Sequence, residues 1–338
     1  MNEQYPLVSI CIPTYNRAGM VSKAIDSALA QTYPNTEVLV VDNASSDNIE
    51  TLIATYSDKR VKFYKNTHNL GIFGNFNRCI ELSHGKYIHI LHSDDYIDSR
   101  FTETCVEFLE RNPSVAMTFT SMVALSGETH ESIGVRTHDQ VFPAPEGFRE
   151  ILRSRNLINC PSVMVRKEVY VSMGLFSLEY PYSGDLYQWL IIARQFDIAY
   201  VSGATLFYRQ GAHSVSYEQL FKTPSGYIDP IKIFIRIVNE LGDDLKVYSC
   251  ELNSAYRRHM RDCLFAGIAR SDSMSNYSSM IFIGFALSTW SMIRPLSLSD
   301  RIKKAGNFFL ICSVASAIII PGGQYLTRKI FRWDTKSY

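Results

Sequence analysis

The sequence predicts an α/β fold, a mostly parallel sheet flanked by helices, with a helical appendage toward the C-terminal end. Three observations predict it. Short apolar runs alternate with amphipathic stretches through the first hundred residues, as expected for strands covered on both faces by crossover helices. Those runs end in polar residues rather than in more core. Beyond "KTPSGYIDP" (Lys222 to Pro230) the periodicity turns almost wholly helical.

The elements follow in order. "LVSICIP" (Leu7 to Pro13) is a buried strand, and Val21, Ala24, Ile25, Ala28 and Leu29 mark one face of the helix after it. "EVLVVD" (Glu37 to Asp42) is a second strand, with Asp47 as the expected N-cap of a helix running through Ile53. "VKFY" (Val61 to Tyr64), a helix ending near Ser83, and "YIHIL" (Tyr87 to Leu91) complete this half. Phe101, Cys105, Phe108 and Leu109 fit another helix, before a strand near "VAMTFTS". Residues 126–147 are polar and rich in Gly and Pro, and read as hairpins or a mobile loop. A strand around "SVMVR" (Ser162 to Arg166), a helix from about Leu186 to Gln195 and "ATLFYR" (Ala204 to Arg209) follow. Lys222 to Pro230 reads as a boundary.

Length and charge narrow the function. A chain of 338 residues suits one large domain with an appendage, or two domains. A net charge of +1 provides no field to draw in nucleic acid, so no nucleic-acid partner is expected. The cysteines (Cys11, Cys79, Cys105, Cys160, Cys250, Cys263 and Cys312) form no CxxC pair and no zinc spacing. They read as reduced thiols of a cytoplasmic protein. "MNEQYPLVSICIP" lacks a basic region followed by an apolar stretch, so no signal peptide is expected.

In a parallel sheet ligands bind beyond the carboxyl ends of the strands. Three such ends carry Thr14 with Tyr15, Asp42, and Asp94 with Asp95. The turn after the first strand, "PTYNRAG", is neither GxGxxG nor a Walker loop, which argues against a dinucleotide or P-loop site. A mononucleotide whose diphosphate is neutralised by a divalent metal on oxygen ligands fits better.

"VSICIPTYNRAGMVSKAIDSALAQTYPNTEVLVVDNASSD" and "NLGIFGNFNRCIELSHGKYIHILHSDD" together resemble the family-2 glycosyltransferases with the GT-A fold. The resemblance runs from about Val8 to Asp95 and more loosely to Ser216. It implies a Rossmann-like nucleotide-diphospho-sugar transferase fold over residues 1–225, with a nucleotide-binding half (1–98), an acceptor-binding half (99–225) and a helical region over 226–338. By the same resemblance Pro13, Thr14 and Tyr15 cradle the nucleoside, and Asp42 accepts a hydrogen bond from an imide N–H of uracil or thymine. Asn69 and Gly71 line the cleft, and Asp94 lies against ribose and phosphates. Asp95 ligates Mg²⁺ or Mn²⁺, with Asp94 beside it. Many relatives have Asp where this chain has His92; imidazole is softer and less suited to Mg²⁺, so His92 is expected to be structural or to stand behind the ligands.

Transfer with inversion needs a base for the acceptor hydroxyl. In "YSGDLYQWLIIAR" the resemblance assigns that role to Asp185, with Gly184 where relatives carry another acid and Glu179 next in line. The plain alternative makes Asp185 the helix N-cap. "FYRQGAHSVS" makes Arg209 and His213 candidates for phosphate or metal contact. The expected reaction moves a sugar from a UDP- or dTDP-sugar to a glycan or polyprenyl-diphosphate-linked acceptor. A metal-dependent nucleotidyltransferase and a non-catalytic partner in polysaccharide assembly are the rivals. Two apolar runs, Met280 to Ile293 and Phe308 to Ile320, fall short of the ~20 residues of a spanning helix. Eight basic against two acidic residues from Arg294 onward give that end a charge of +6. Peripheral contact with anionic lipid at the inner face of the cell membrane is the expected consequence.

Overall fold

The computed structural model describes residues 5–259 apart from 128, 155–156, 212–224 and 256. Its strands are β1 (Val8–Thr14), β2 (Thr36–Asp42), β3 (Val61–Lys65), β4 (Tyr87–Ile90), β5 (Tyr96–Ile97), β6 (Val115–Ser126), β7 (Thr129–Ile133), β8 (Gln140–Phe142), β9 (Val163–Arg166) and β10 (Asp197–Arg209). They form one sheet in the order β3-β2-β1-β4-β9-β6-β10-β5, with β7 on β6 and β8 on β10. The helices are α1 (Ala18–Leu29), α2 (Ile49–Ile53), α3 (Gly71–Leu82), α4 (Phe101–Arg111), α5 (Glu146–Arg153), α6 (Lys167–Met173), α7 (Gly184–Gln195) and α8 (Ser225–Leu241). The chain divides into two compact units, Met1–Ile233 with Asp244–Ala255, and Phe234–Asp243 with Tyr256–Tyr338.

Period-two alternation explains the layers. Val8, Ile10 and Ile12 of β1 and Val38 and Val40 of β2 share one core with Val21, Ala24, Ile25 and Ala28 of α1 and Phe101, Cys105 and Leu109 of α4. Each fully buried Ile there contributes about 1.5–3 kcal/mol of hydrophobic stabilisation. The opposite face belongs to α3: Cys11 Sγ lies 3.2 Å from Ser83 Oγ, and Asn75 donates to the Val41 carbonyl at 3.0 Å.

Strands β3, β2, β1 and β4 run parallel. The chain moves outward from β1 to β3, then returns to the other side of β1 as β4, so the topological switch point lies between β1 and β4. Their pairing ends at Cys11–Ile90. Pro13 therefore sits past the last rung on that side, and a crevice opens where ligands of such sheets bind.

The second half departs from the simple pattern. β9 enters antiparallel to both β4 and β6, because a short apolar run buried on both faces reads alike in either direction. Arg166 at its end is buried and donates to the carbonyls of Val115 (2.8 Å) and Leu109 (2.6 Å). Residues 126–147 contain the β6–β7 hairpin, then β8, antiparallel to β10. β10 begins at Asp197, well before the expected Ala204, because an irregularity around Gly203 (φ 80°) lets one strand continue through a polar break. From Ser225 on, the expected boundary is the start of α8, with Pro230 inside the helix. His213 and the runs Met280 to Ile293 and Phe308 to Ile320 lie outside the described residues. Among the described residues no helix is long and apolar enough to cross a membrane.

Asp47 is not the cap of its own helix. α2 has Asn48 at its N-cap, and Asp47 Oδ2 instead accepts the N–H of Ala18 at 2.7 Å, so it caps α1 from the neighbouring loop. Asp47→Ala is expected to lower stability by about 0.5–2 kcal/mol. Asp47→Asn, still an acceptor, should lose far less. Urea denaturation midpoints check this; equal midpoints for all three proteins would remove the cap from the account.

Candidate active site

Two loops at the strand ends are tied together before any ligand is considered. Asn16 (φ 51°) and Ala44 (φ 62°) adopt left-handed backbone, turning the chain sharply after β1 and β2. The Asn16 N–H donates to Ser45 Oγ at 2.8 Å, and the Ser46 N–H donates to Asn16 Oδ1 at 2.9 Å. Asp42 is fully buried and accepts the N–H of Ser45 at 3.1 and 3.2 Å as well as its hydroxyl. Asp42 thus anchors its turn, with little acceptor capacity left for a base. Thr14 Oγ1 is buried without a partner, while Tyr15 is 46 % exposed. Pro13 is buried beneath them.

Asparagines order the next segment. Asn69 Oδ1 accepts from Asn43 Nδ2 and from the Gly71 N–H, both at 2.8 Å. Asn43 Oδ1 accepts the Leu70 N–H at 2.9 Å. Gly71 has φ 77°, a conformation that favours glycine, so it starts α3 with a turn other residues enter at a cost.

The acidic loop follows β4. Asp95 has no exposed side-chain surface; its Oδ1 accepts the N–H of Arg209 at 3.0 Å, and its Oδ2 has no partner. Burial and the neighbouring Asp94 charge push its carboxyl well above the usual range, against the pull of Arg209 and Arg17. Asp94 pairs with the Arg17 guanidinium. His92 Nδ1 lies 3.7 Å from Asp95 Oδ2, and His92 Nε2 is buried without a partner. Burial lowers the His92 pKa to about 4, so the ring is neutral near pH 7 and has a lone pair to give.

One ligand atom from each of His92, Asp94 and Asp95 lies within 4.8 Å of the others. Two carboxylates and one imidazole suit a divalent cation such as Mn²⁺ and tolerate Mg²⁺. An unpartnered buried carboxylate oxygen is the group such an ion would satisfy. His92, expected behind the ligands, has a ring nitrogen within this cluster.

Asp185 is the second residue of α7, not its N-cap, which is Ser183. Its Oδ1 accepts the N–H of Leu186 at 2.8 Å. Burial nevertheless pushes its pKa from 3.8 up to about 6, opposed by the helix N–H groups. The buried Cys160 thiol, pushed up by burial, is raised further by the charges of Asp185 and Asp95. The two carboxyls therefore act on one neighbourhood. Glu179 is exposed in the loop before α7.

An aromatic wall joins these parts. Phe76 lies 5.6 Å from the His92 ring and 5.7 Å from Phe176, which is 5.7 Å from Trp189 of α7. Asn77 fixes the loop before α7 by donating to the Phe176 carbonyl and accepting its N–H, both at 2.9 Å. Two arginines complete the site. Arg17, not anticipated, was legible only as a cation in the turn after β1. Arg209, expected at phosphate or metal, donates from its guanidinium to the carbonyls of Asp94 and of Met20 (2.9 Å for the latter) and braces the acidic loop.

Residues 9–172 match the family described as glycosyl transferase family 2. An uncharacterized glycosyltransferase of Rickettsia typhi is 32% identical over 198 residues, 55% of this chain and 59% of that protein. The Escherichia coli protein named UDP-Glc:alpha-D-GlcNAc-diphosphoundecaprenol beta-1,3-glucosyltransferase WfgD is 28% identical over 58% of this chain and 73% of its own length. The fold matches residues 1–349 of Staphylococcus aureus TarS in complex with UDP-GlcNAc, with TM-score 0.66, 17% identity, and 85% of this chain and 81% of that one covered. It also matches a mannosyltransferase of Pyrobaculum calidifontis in complex with GDP-Man and Mn²⁺, with TM-score 0.57, 14% identity, and 98% and 89% covered.

Gly184 has a steric reason. A Cβ there would lie 2.8 Å from the Cδ2 and Cε2 atoms of Phe73. Gly184→Ala is expected to cost about 1–3 kcal/mol by overpacking, and Gly184→Asp more. Combined with Phe73→Leu, Gly184→Ala should cost less than the sum of the single effects. Chemical denaturation of the four proteins checks this, and strict additivity would contradict the contact.

Proposed function

We propose, because residues 9–172 match glycosyl transferase family 2 and the fold is that of the GT-A glycosyltransferases, that the chain transfers a sugar, with inversion, from a UDP- or dTDP-sugar to a hydroxyl of a glycan or polyprenyl-diphosphate-linked acceptor. The observation that carries this reading is the cluster of His92, Asp94 and Asp95 beyond β4, with one buried Asp95 oxygen left without a partner. The Asp185 carboxyl, raised by burial to about 6, supports it as the base. A base poised near the working pH accepts a proton at least cost in driving force. The UDP-glucose and diphosphoundecaprenol in the name of the E. coli relative support the donor and acceptor classes. The mannosyltransferase with Mn²⁺ supports a metal.

In this reading Pro13, Thr14 and Tyr15 receive the nucleoside at the end of β1, beside Asp42, Asn69 and Gly71. Asp94, Asp95 and His92 would hold the Mg²⁺ or Mn²⁺, with His213 a further ligand, and the ion would supply positive charge to the nucleotide diphosphate. Arg17 and Arg209 keep the two carboxylates in place. Asp185 takes the acceptor hydroxyl proton onto its carboxylate as that oxygen attacks the anomeric carbon from the side opposite the nucleotide. Phe76, Phe176 and Trp189 run as packed rings from the acidic loop to α7. The catalytic domain in this reading is residues 1–225, and the basic, apolar region beyond it touches anionic lipid at the inner membrane face.

Incubation with UDP-glucose, UDP-N-acetylglucosamine and dTDP-glucose, with a lipid-diphosphate sugar as acceptor, tests the reaction. Proton NMR of the product should show the anomeric configuration opposite to the donor's; retention would contradict the mechanism. The rate should fall as pH drops through about 6, where Asp185 gains its proton. Asp185→Asn should lower turnover roughly 10²–10⁴-fold. The same variant should not lower the melting temperature at pH 7.5. A carboxyl whose pKa rises on folding stabilises most at low pH and loses that contribution as pH rises through about 6, so removing the buried charge relieves a cost. Near-normal turnover by Asp185→Asn would move the base elsewhere, to Glu179 first.

A further inference from the structure

The helix that carries Asp185 lacks a cap of its own. Ser183 stands at the N-cap of α7 without a side-chain hydrogen bond to the helix. The entry is held instead from α8, 47 residues beyond Tyr182. Asp229 is fully buried, and its Oδ2 accepts the N–H of Tyr182 at 2.9 Å. The N–H of Ser183 also favours the Asp229 anion. A carboxylate at this end of α7 complements the helix dipole. Its other oxygen, Oδ1, is buried without a partner, an arrangement a surface cap would not need.

The loop before the base is thereby pinned at three points. Gln188 Nε2 donates to the Gly174 carbonyl at 3.0 Å, Asn77 holds Phe176 from both sides, and Asp229 holds Tyr182. The first two fix the start of the loop. Asp229 holds its end, three residues before Asp185. We propose that Asp229 is the positioning residue for Asp185, setting where α7 begins and so how deeply the Asp185 carboxyl is enclosed. The inference rests on Asp185 being the base. Acting through backbone, Asp229 touches neither donor nor acceptor.

The groups acting on these carboxyls are few. Burial raises the Asp229 carboxyl, while Lys232 on its own helix lowers it. Asp185 is opposed only by the N–H groups at the start of α7, with the Cys160 thiol nearby. If the clamp is lost, the first turn of α7 frays and water reaches Asp185. Displacement of a catalytic group by about 1 Å costs on the order of 10²-fold.

The experiment compares Asp229→Ala, Asp229→Asn and Asp185→Asn in the full chain. It follows UDP release from UDP-glucose and UDP-N-acetylglucosamine with Mn²⁺ across pH 4.5–8.5. Asp229→Ala should lower kcat roughly 10–100-fold with donor KM within about twofold. Its acidic limb should move from about 6 toward the ordinary carboxylate range. Asp229→Asn can still accept the Tyr182 N–H and should restore most of kcat with the limb near 6. A residue serving stability alone would lower melting temperature and amplitude but leave the limb in place, and that result overturns the proposal. Equal loss in Asn and Ala overturns it as well. A fully active Asp185→Asn would overturn the base assignment and this inference together, whereas an inactive one beside an unmoved Asp229→Ala limb overturns this inference alone.

Discussion

Two adjacent carboxylates at the end of a buried strand constrain everything around them. Left alone, Asp94 and Asp95 would repel and would be costly to ionise out of water. Two arginines meet that cost unequally. Arg17 pairs with Asp94 from the turn after β1, and Arg209 donates its N–H to Asp95 and its guanidinium to the Asp94 carbonyl from the end of β10. One oxygen of Asp95 is left without a partner. The protein thus holds the acidic loop rigidly while leaving charge to be met by something bound there. The long reach of β10 follows from the same constraint, since its last residue must arrive at this loop.

The loop before α7 joins the acidic loop through aromatic packing. His92 contacts Phe76, Phe76 contacts Phe176, and Phe176 contacts Trp189 of α7. Such ring pairs are worth about 0.5–1.5 kcal/mol each beyond burial, and they add to the hydrogen bonds that Asn77 makes to Phe176 and Arg209 makes to the acidic loop. Gly184 belongs to this wall. Its missing side chain lets α7 begin against Phe73.

The sequence made the parallel half legible because strand and helix periods there are clean. β1 to β4 and their helices lie close to where apolar runs and one-sided stripes put them. The clustering of polar strand ends was legible too, since the rule that ligands bind beyond carboxyl ends needs only the strand order. Other features depend on tertiary contacts that no local pattern records. Asp47 looks like the cap of the helix after it, but caps α1 from the neighbouring loop. The apolar run of β9 carries no sign of its direction. The resemblance of "FYRQGAHSVS" points Arg209 toward phosphate or metal but gives no sign that its guanidinium also donates to the backbone carbonyls of Asp94 and Met20. Lys222 to Pro230 suggests a break through its Gly and Pro, whereas from Ser225 it is helix and presents Asp229 to the entry of α7.

The account turns on the acidic loop being built for a metal diphosphate rather than for its own ion pairs. Electron paramagnetic resonance of Mn²⁺ titrated with the protein, with and without UDP, tests this most directly. The account predicts that the free-ion signal falls as protein is added, that UDP tightens the uptake, and that Asp95→Asn abolishes it while the melting temperature holds. A free Mn²⁺ signal unchanged by wild-type protein and saturating UDP would contradict it.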